Sequence, residues 1–234
     1  MSYVFRPKDL LVKNLYIIFF LLLANVFGIA VTHYFDHTLY GLISLFNFDT
    51  ERNIPTLYSS IALLVASGLL LFIAATRKKL KLFYLSWAGL SLIFFFLAID
   101  EISSIHELLI DPARETFGAT GLLYYAWVIP YGVGLLFFVF LYSRFLFRLP
   151  KEIMILFIVS GSIFVLGAIG FELIGGKTAE HGVSMDNSML VSVLYTCEET
   201  LEMLGIALFI YTLLSYIVNH LDNVTVKIVN NQSA

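Results

Sequence analysis

The chain has 234 residues; 59% are hydrophobic, 13% are charged, and the formal net charge is −3. A soluble domain is roughly 45–50% apolar and about 25% charged. The composition therefore excludes a disordered chain, a small disulfide-stapled domain and a basic nucleic-acid binder, and leaves a polytopic membrane protein.

A membrane-spanning helix needs about 20 apolar residues. Six such stretches follow in chain order, at 14–35, 56–76, 83–109, 123–147, 153–175 and 188–218. Period-2 alternation is absent, which argues against a barrel. The expectation is an all-α, polytopic bundle of six helices forming a single domain over 1–234. Arg6, Lys8 and Lys13 precede the first stretch as in a signal peptide. Its apolar run of about 20 residues is longer than the usual h-region of about 7–15, so a retained span is expected.

Basic residues alternate across the spans. Arg6, Lys8 and Lys13 lie before the first span, and Arg77, Lys78, Lys79 and Lys81 follow the second. Arg144, Arg148 and Lys151 follow the fourth, and Lys227 lies in the tail. That places eleven on one side, against Arg52, Arg114 and Lys177 on the other. The positive-inside rule then predicts cytoplasmic N and C termini in the cytoplasmic (inner) membrane.

The 17 carboxylates are distributed differently. Asp9, Glu152 and Asp222 fall on the cytoplasmic side, and Asp36, Asp49, Glu51, Asp111, Glu115, Glu180 and Asp186 in outer loops. Asp100, Glu101 and Glu107 fall on the third expected helix, Glu172 on the fifth, and Glu198, Glu199 and Glu202 on the sixth, with no Lys or Arg in those spans. A carboxylate at membrane depth costs roughly 2.5–3.5 kcal/mol on insertion scales. These seven call for protons, a metal, mutual hydrogen bonds or water.

Depth brings them to one level. At 1.5 Å per residue, Asp100 lies about 26 Å from Phe83 and Glu172 about 28 Å from Ile153. The sixth stretch enters the hydrocarbon near Glu199. On a continuous third helix, Asp100 and Glu107 fall roughly 20° apart, flanked by Ser103 and Ser104. Gly167 and Gly170 permit a close neighbour beside Glu172. His33, His37, His106 and His181 share the outer bias, and only His220 is cytoplasmic.

Carboxylates with one or two His suit Zn, Mn or Fe, and helix bundles build such sites from facing helices. The candidate ligands are Asp100, Glu101, His106, Glu172, Glu199 and Glu202. Glu107 and Glu198 are candidate general bases. The Glu-x-x-His pair of di-iron bundles is missing, because Glu101 and His106 are five apart. The string His106-Glu107-Leu108-Leu109-Ile110 has Ile where a zincin needs its second His.

A proton- or cation-coupled transporter is the alternative, with Pro130 as a helix break. The one-sided acids and the lack of an inverted repeat count against it. A non-catalytic assembly protein is the third reading. Tyr124, Tyr125, Trp127 and Tyr131 read as an interfacial aromatic belt. No Gly-x-Ser-x-Gly elbow accompanies Ser103 or Ser104, and Cys197, the sole cysteine, has a packing role. The sequence thus predicts a divalent-metal site supporting hydrolysis of a lipid or small amphipathic substrate. The partner is the lipid bilayer, and no nucleic acid is expected.

Overall fold

The computed structural model describes residues 6–35, 41–180 and 189–221. Asp36, His37, His181, Asp186, Asp222 and Lys227 lie outside the described residues. The fold is all-α, with six helices long and apolar enough to cross a membrane.

Helix α1 covers Pro7–Phe35 and α2 covers Ile54–Lys79. The N terminus of α2 is set by Asn53, whose side chain accepts the Thr56 amide at 3.0 Å, and by Pro55 in the first turn. Arg77, Lys78 and Lys79 close the helix where its dipole favours cations. Helix α3, Leu85–Ser103, packs back along α2. Small polar residues bring the two backbones together. Ser67 Oγ donates to the Ser91 carbonyl at 2.8 Å, and Ser91 Oγ donates to the Ser67 carbonyl at 2.9 Å.

The third helix stops six residues before the expected end at 109. Ser104 adopts a left-handed conformation with φ 50°, and the Asp100 carboxylate accepts the His106 backbone N–H at 2.8 Å. A short acidic side chain that takes a downstream amide competes with helix propagation. Glu107 therefore does not share a helical face with Asp100, and the 20° relation of a continuous helix does not apply. A polar connection follows, including the short helix α4 at Ile110–Phe117.

Helix α5, Val128–Leu146, begins five residues later than expected and has only Val128 fully buried. Its exposed apolar residues are ordinary for a surface that faces hydrocarbon. Helix α6, Lys151–Val165, continues through a π-helical turn at Leu166–Phe171 into α7, Glu172–Glu180. Such turns recur at functional sites, and here the turn delivers Glu172. Helix α8, Met189–His220, packs against α1, α2, α6 and the π turn.

Two glycines allow the α6–α8 approach. A Cβ on Gly205 would stand 2.7 Å from the Phe164 backbone nitrogen, and one on Gly167 would stand 2.8 Å from the Glu198 carbonyl. Gly167 thus acts as the sequence suggests. Gly170 does not, because the atom nearest a Cβ there belongs to Leu166 of the same helix turn.

The bundle has two distinct ends. The ends of α1, α3 and α7 and the starts of α2, α5 and α8 form one, here the site end. Ten of the thirteen described Lys and Arg residues lie at the other, the far end. There Trp87 is enclosed by Phe145, Phe157 and Tyr216, with ring centroids at 5.1, 6.0 and 4.6 Å. Arg77 ties this end together, donating to the Tyr216 hydroxyl at 2.7 Å and the Phe83 carbonyl at 2.8 Å.

Candidate functional site

A cavity of about 1300 Å³ runs between α3, α5, α6 and α8. Asp100, Glu101, Glu172, Glu198, Glu199 and Glu202 all line it, with His106 and Glu107 at the site end. The acids that the sequence places at a common depth also line one cavity. Toward the far end the walls are apolar, with Phe94, Phe138, Phe157 and Phe209 among them.

His106 is fixed by contacts on several sides. Asp100 is 5% exposed, and its Oδ1 accepts the His106 amide and lies 3.3 Å from His106 Nδ1. The Tyr131 hydroxyl donates to Asp100 Oδ2 at 2.9 Å. The His106 ring lies 4.9 Å from the Trp127 ring, and Trp127 Nε1 donates to Glu172 Oε1 at 2.7 Å. Thus α3, α5 and α7 hold one imidazole through Asp100, Tyr131, Trp127 and Glu172. The Glu172 and Glu198 carboxyls are within hydrogen-bonding reach of each other. Such a contact needs a proton or a cation between the two.

Trp127 and Tyr131 are therefore part of the site and not a lipid-facing belt. Tyr125 also lines the cavity, and burial, with Glu172 next, pushes its hydroxyl up to about 12. Tyr124 has a separate job, since its ring lies 4.0 Å from the Arg114 guanidinium. Arg114 also donates to the Tyr124 carbonyl at 2.8 Å and to Asp111 at 3.0 Å, which pins the connection carrying His106. Glu180 accepts the Gly121 amide at 2.8 Å, and Gly176 sits close to the Tyr125 and Leu122 backbones. This polar connection is built against α7.

Among the described residues, one candidate metal-ligand group stands out: Glu51, His106 and Glu107 each bring a ligand atom within 4.8 Å of the other two. Two carboxylates and an imidazole match the donors preferred by Zn, Mn and Fe, and three protein ligands leave a position for water. Of the sequence-derived ligands, only His106 belongs to this group, and Glu107 joins it from the general-base set. Asp100 reaches it by contact with His106, whereas Glu101, Glu172, Glu199 and Glu202 line the cavity outside it.

Sequence reasoning misses Glu51, which reads as an ordinary loop acid. The Asn53 cap and the turn before α2 bring it back over the cavity, within 3.4 Å of the Thr56 hydroxyl. Its one sequence signal is its position just before the Asn-x-Pro helix start.

The charges at this group reinforce one another. Burial pushes the Glu51 carboxyl up, the His106 charge and the Thr56 contact partly offset this, and Glu107 and Asp100 push it further up. Burial works against the His106 cation, but the Asp100 hydrogen bond and charge, with Glu51 and Glu107, outweigh it. His106 is thereby held above the ordinary imidazole range.

Residues 11–217 match the family model described as Domain of unknown function (DUF8692). The chain belongs to that family. The matched stretch contains the whole of the site, from Glu51 to Glu202. No curated protein and no solved structure matches the chain.

Proposed function

We propose that this protein is a metal-dependent hydrolase of a lipid or other amphipathic substrate. The observation that carries the reading is the polarity of one cavity. Glu51, His106 and Glu107 gather at its site end, and phenylalanines line the other. An amphiphile has the same division.

In this proposal Glu51, His106 and Glu107 hold the ion. Asp100 takes the Nδ1 side of His106, which leaves Nε2 for the metal, and a carboxylate oriented in this way strengthens a His ligand. The ion would supply Lewis acidity and a more acidic water. Glu198 is the general base, paired with Glu172. It accepts the proton of a water whose oxygen bonds to the acyl carbon. As the C–O or C–N bond breaks, it returns that proton to the leaving group. Trp127 and Tyr131 hold Glu172, His106 and Asp100 in register.

The whole chain, 1–234, acts as one transmembrane domain. Its site opens to the extracytoplasmic side of the cytoplasmic membrane, and the concentration of Lys and Arg at the far end supports that orientation. The cavity favours a site over a conduit, because its acids are confined to one end and a transported ion would need ligands along its path.

Metal analysis of the purified full chain tests the reading. One equivalent of Zn, Mn or Fe is expected, lost in Glu51→Gln and His106→Ala, together with metal-dependent release of fatty acid from a lipid panel. A gently purified protein that holds no metal and gains no hydrolysis with any of the three ions would overturn it.

A further inference from the structure

Between the metal-ligand group and the apolar slot lies a second set of acids that the proposed chemistry does not use. Glu101 comes from α3, and Glu199 and Glu202 come from α8. All three are half-buried, and each lines the cavity. No hydrogen bond between described residues ties down any of the three, so their carboxyls are open to a group in the cavity.

Their spacing argues against a second metal. Among the described residues, Glu51, His106 and Glu107 draw ligand atoms together within 4.8 Å, and this deeper set does not form such a group. A bound ion needs oxygens at about 2.0–2.2 Å. An ammonium accepts the wider spacing, with N–H···O distances of about 2.7–2.9 Å. The lining includes nine carboxyl side chains and one imidazole, and no Lys or Arg. In their ionised form these carboxyls disfavour a phosphate or fatty-acid head and favour a cation, which can take the place of their protons. Trp127 and Tyr131 also line this chamber, and aromatic rings favour cations.

Below the acids, the slot follows one stripe of α5, through Gly134, Leu135, Phe138, Tyr142 and Phe145. From Pro130 to Phe145 this stripe is about 22 Å long. It faces Phe94 on α3 and Phe157 on α6.

We infer that the cavity selects a single-chain lipid bearing a protonated amine. The ammonium is held by Glu101, Glu199 and Glu202, and the chain lies in the α5 slot. This rests on the reading that the pocket takes an amphiphile, and it names the class.

The test is competitive binding to the purified full chain, read by native mass spectrometry in EDTA. Hexadecylamine and hexadecanoate compete at equal concentration, with butylamine as a short-chain competitor. Hexadecylamine should occupy the protein at least about tenfold more than hexadecanoate. Glu199→Gln/Glu202→Gln should abolish that preference, and butylamine at the same concentration should not displace the long chain. A preference below tenfold in the unmodified chain overturns the inference and needs no variant. So does a preference that survives in the double variant, or displacement by butylamine. Because EDTA is present, amine selectivity without metal or hydrolysis would sink the hydrolase reading alone. A metal-loaded hydrolase without amine selectivity would sink this inference alone.

Discussion

At the far end of the bundle Trp87 is closed in by three aromatic rings, whereas at the site end Glu51, His106 and Glu107 face one another at the mouth of a cavity. Helices α3 and α8 reach both regions. Residues of α3 and α8 near the far end satisfy one another, as in the Trp87–Tyr216 contact, with ring centroids at 4.6 Å. Nearer the site end the same two helices carry Glu101, Glu199 and Glu202, which face a cavity. One region holds the bundle together, and the other presents acids that need a ligand or protons. The two should therefore respond separately to substitution.

The sharpest separation comes from Trp87→Ala. This removes a side chain that is 1% exposed. Replacement of a buried Trp by Ala costs roughly 3–5 kcal/mol. The apparent melting temperature should fall further than in His106→Ala or Asp100→Asn, while folded protein at low temperature keeps its full metal content. Lost metal with an unchanged melting temperature would break the comparison.

His106→Ala should do the opposite. It removes one of the three proposed ligands, and metal affinity should fall by about 100-fold or more, equivalent to about 2.7 kcal/mol. The melting temperature of the metal-free protein should fall less than in Trp87→Ala, because His106 is partly exposed and Asp100 loses one partner but keeps the His106 amide and the Tyr131 hydroxyl. Equilibrium dialysis with Zn checks the first expectation and a thermal scan in EDTA checks the second.

Asp100→Asn should have a smaller effect, a loss of about 10–100-fold in metal affinity. Asn keeps an oxygen for the His106 amide but removes the charge beside the ring. If affinity falls as far as in His106→Ala, Asp100 is itself a ligand.

The far end was the more legible region in the sequence. Apolar runs and the alternation of Lys and Arg reveal the six helices, because hydrocarbon imposes a length and a composition on each span. The acids were legible as a group for the same reason, since Asp100, Glu172 and Glu199 stand out against apolar surroundings. The turn at Ser104 was not legible. It depends on Asp100 accepting the His106 amide, a competition between side chain and backbone that periodicity does not register. Glu51 was hidden because a loop acid close in sequence to Arg52 resembles any solvated loop. The belt reading of Trp127 and Tyr131 failed because interfacial aromatics and aromatics that tether buried acids have the same composition. Their bonds to Glu172 and Asp100 separate the two cases.

The smallest effect concerns pH, and it sets the two ends against each other in one measurement. His106 is held above the ordinary imidazole value near ~6.5, and Glu51 above the ordinary carboxyl value near ~4.3. Each group binds its proton more tightly in the folded protein than in the unfolded chain. Stability therefore falls wherever the unfolded chain has released a proton that the folded protein still holds. For His106 the contribution is complete below about 6.5 and disappears as pH rises through its elevated value. Glu51 behaves alike from about 4.3 upward. In EDTA the apparent melting temperature should thus decline as pH rises across this window. Asp100→Asn should remove the His106 part of the slope, and Trp87→Phe should leave the slope intact. A metal must displace the His106 proton, so its affinity should rise over the same range. The metal-loaded protein should then gain stability where the metal-free protein loses it. Parallel curves with and without metal would mean that His106 and Glu51 do not face the ion.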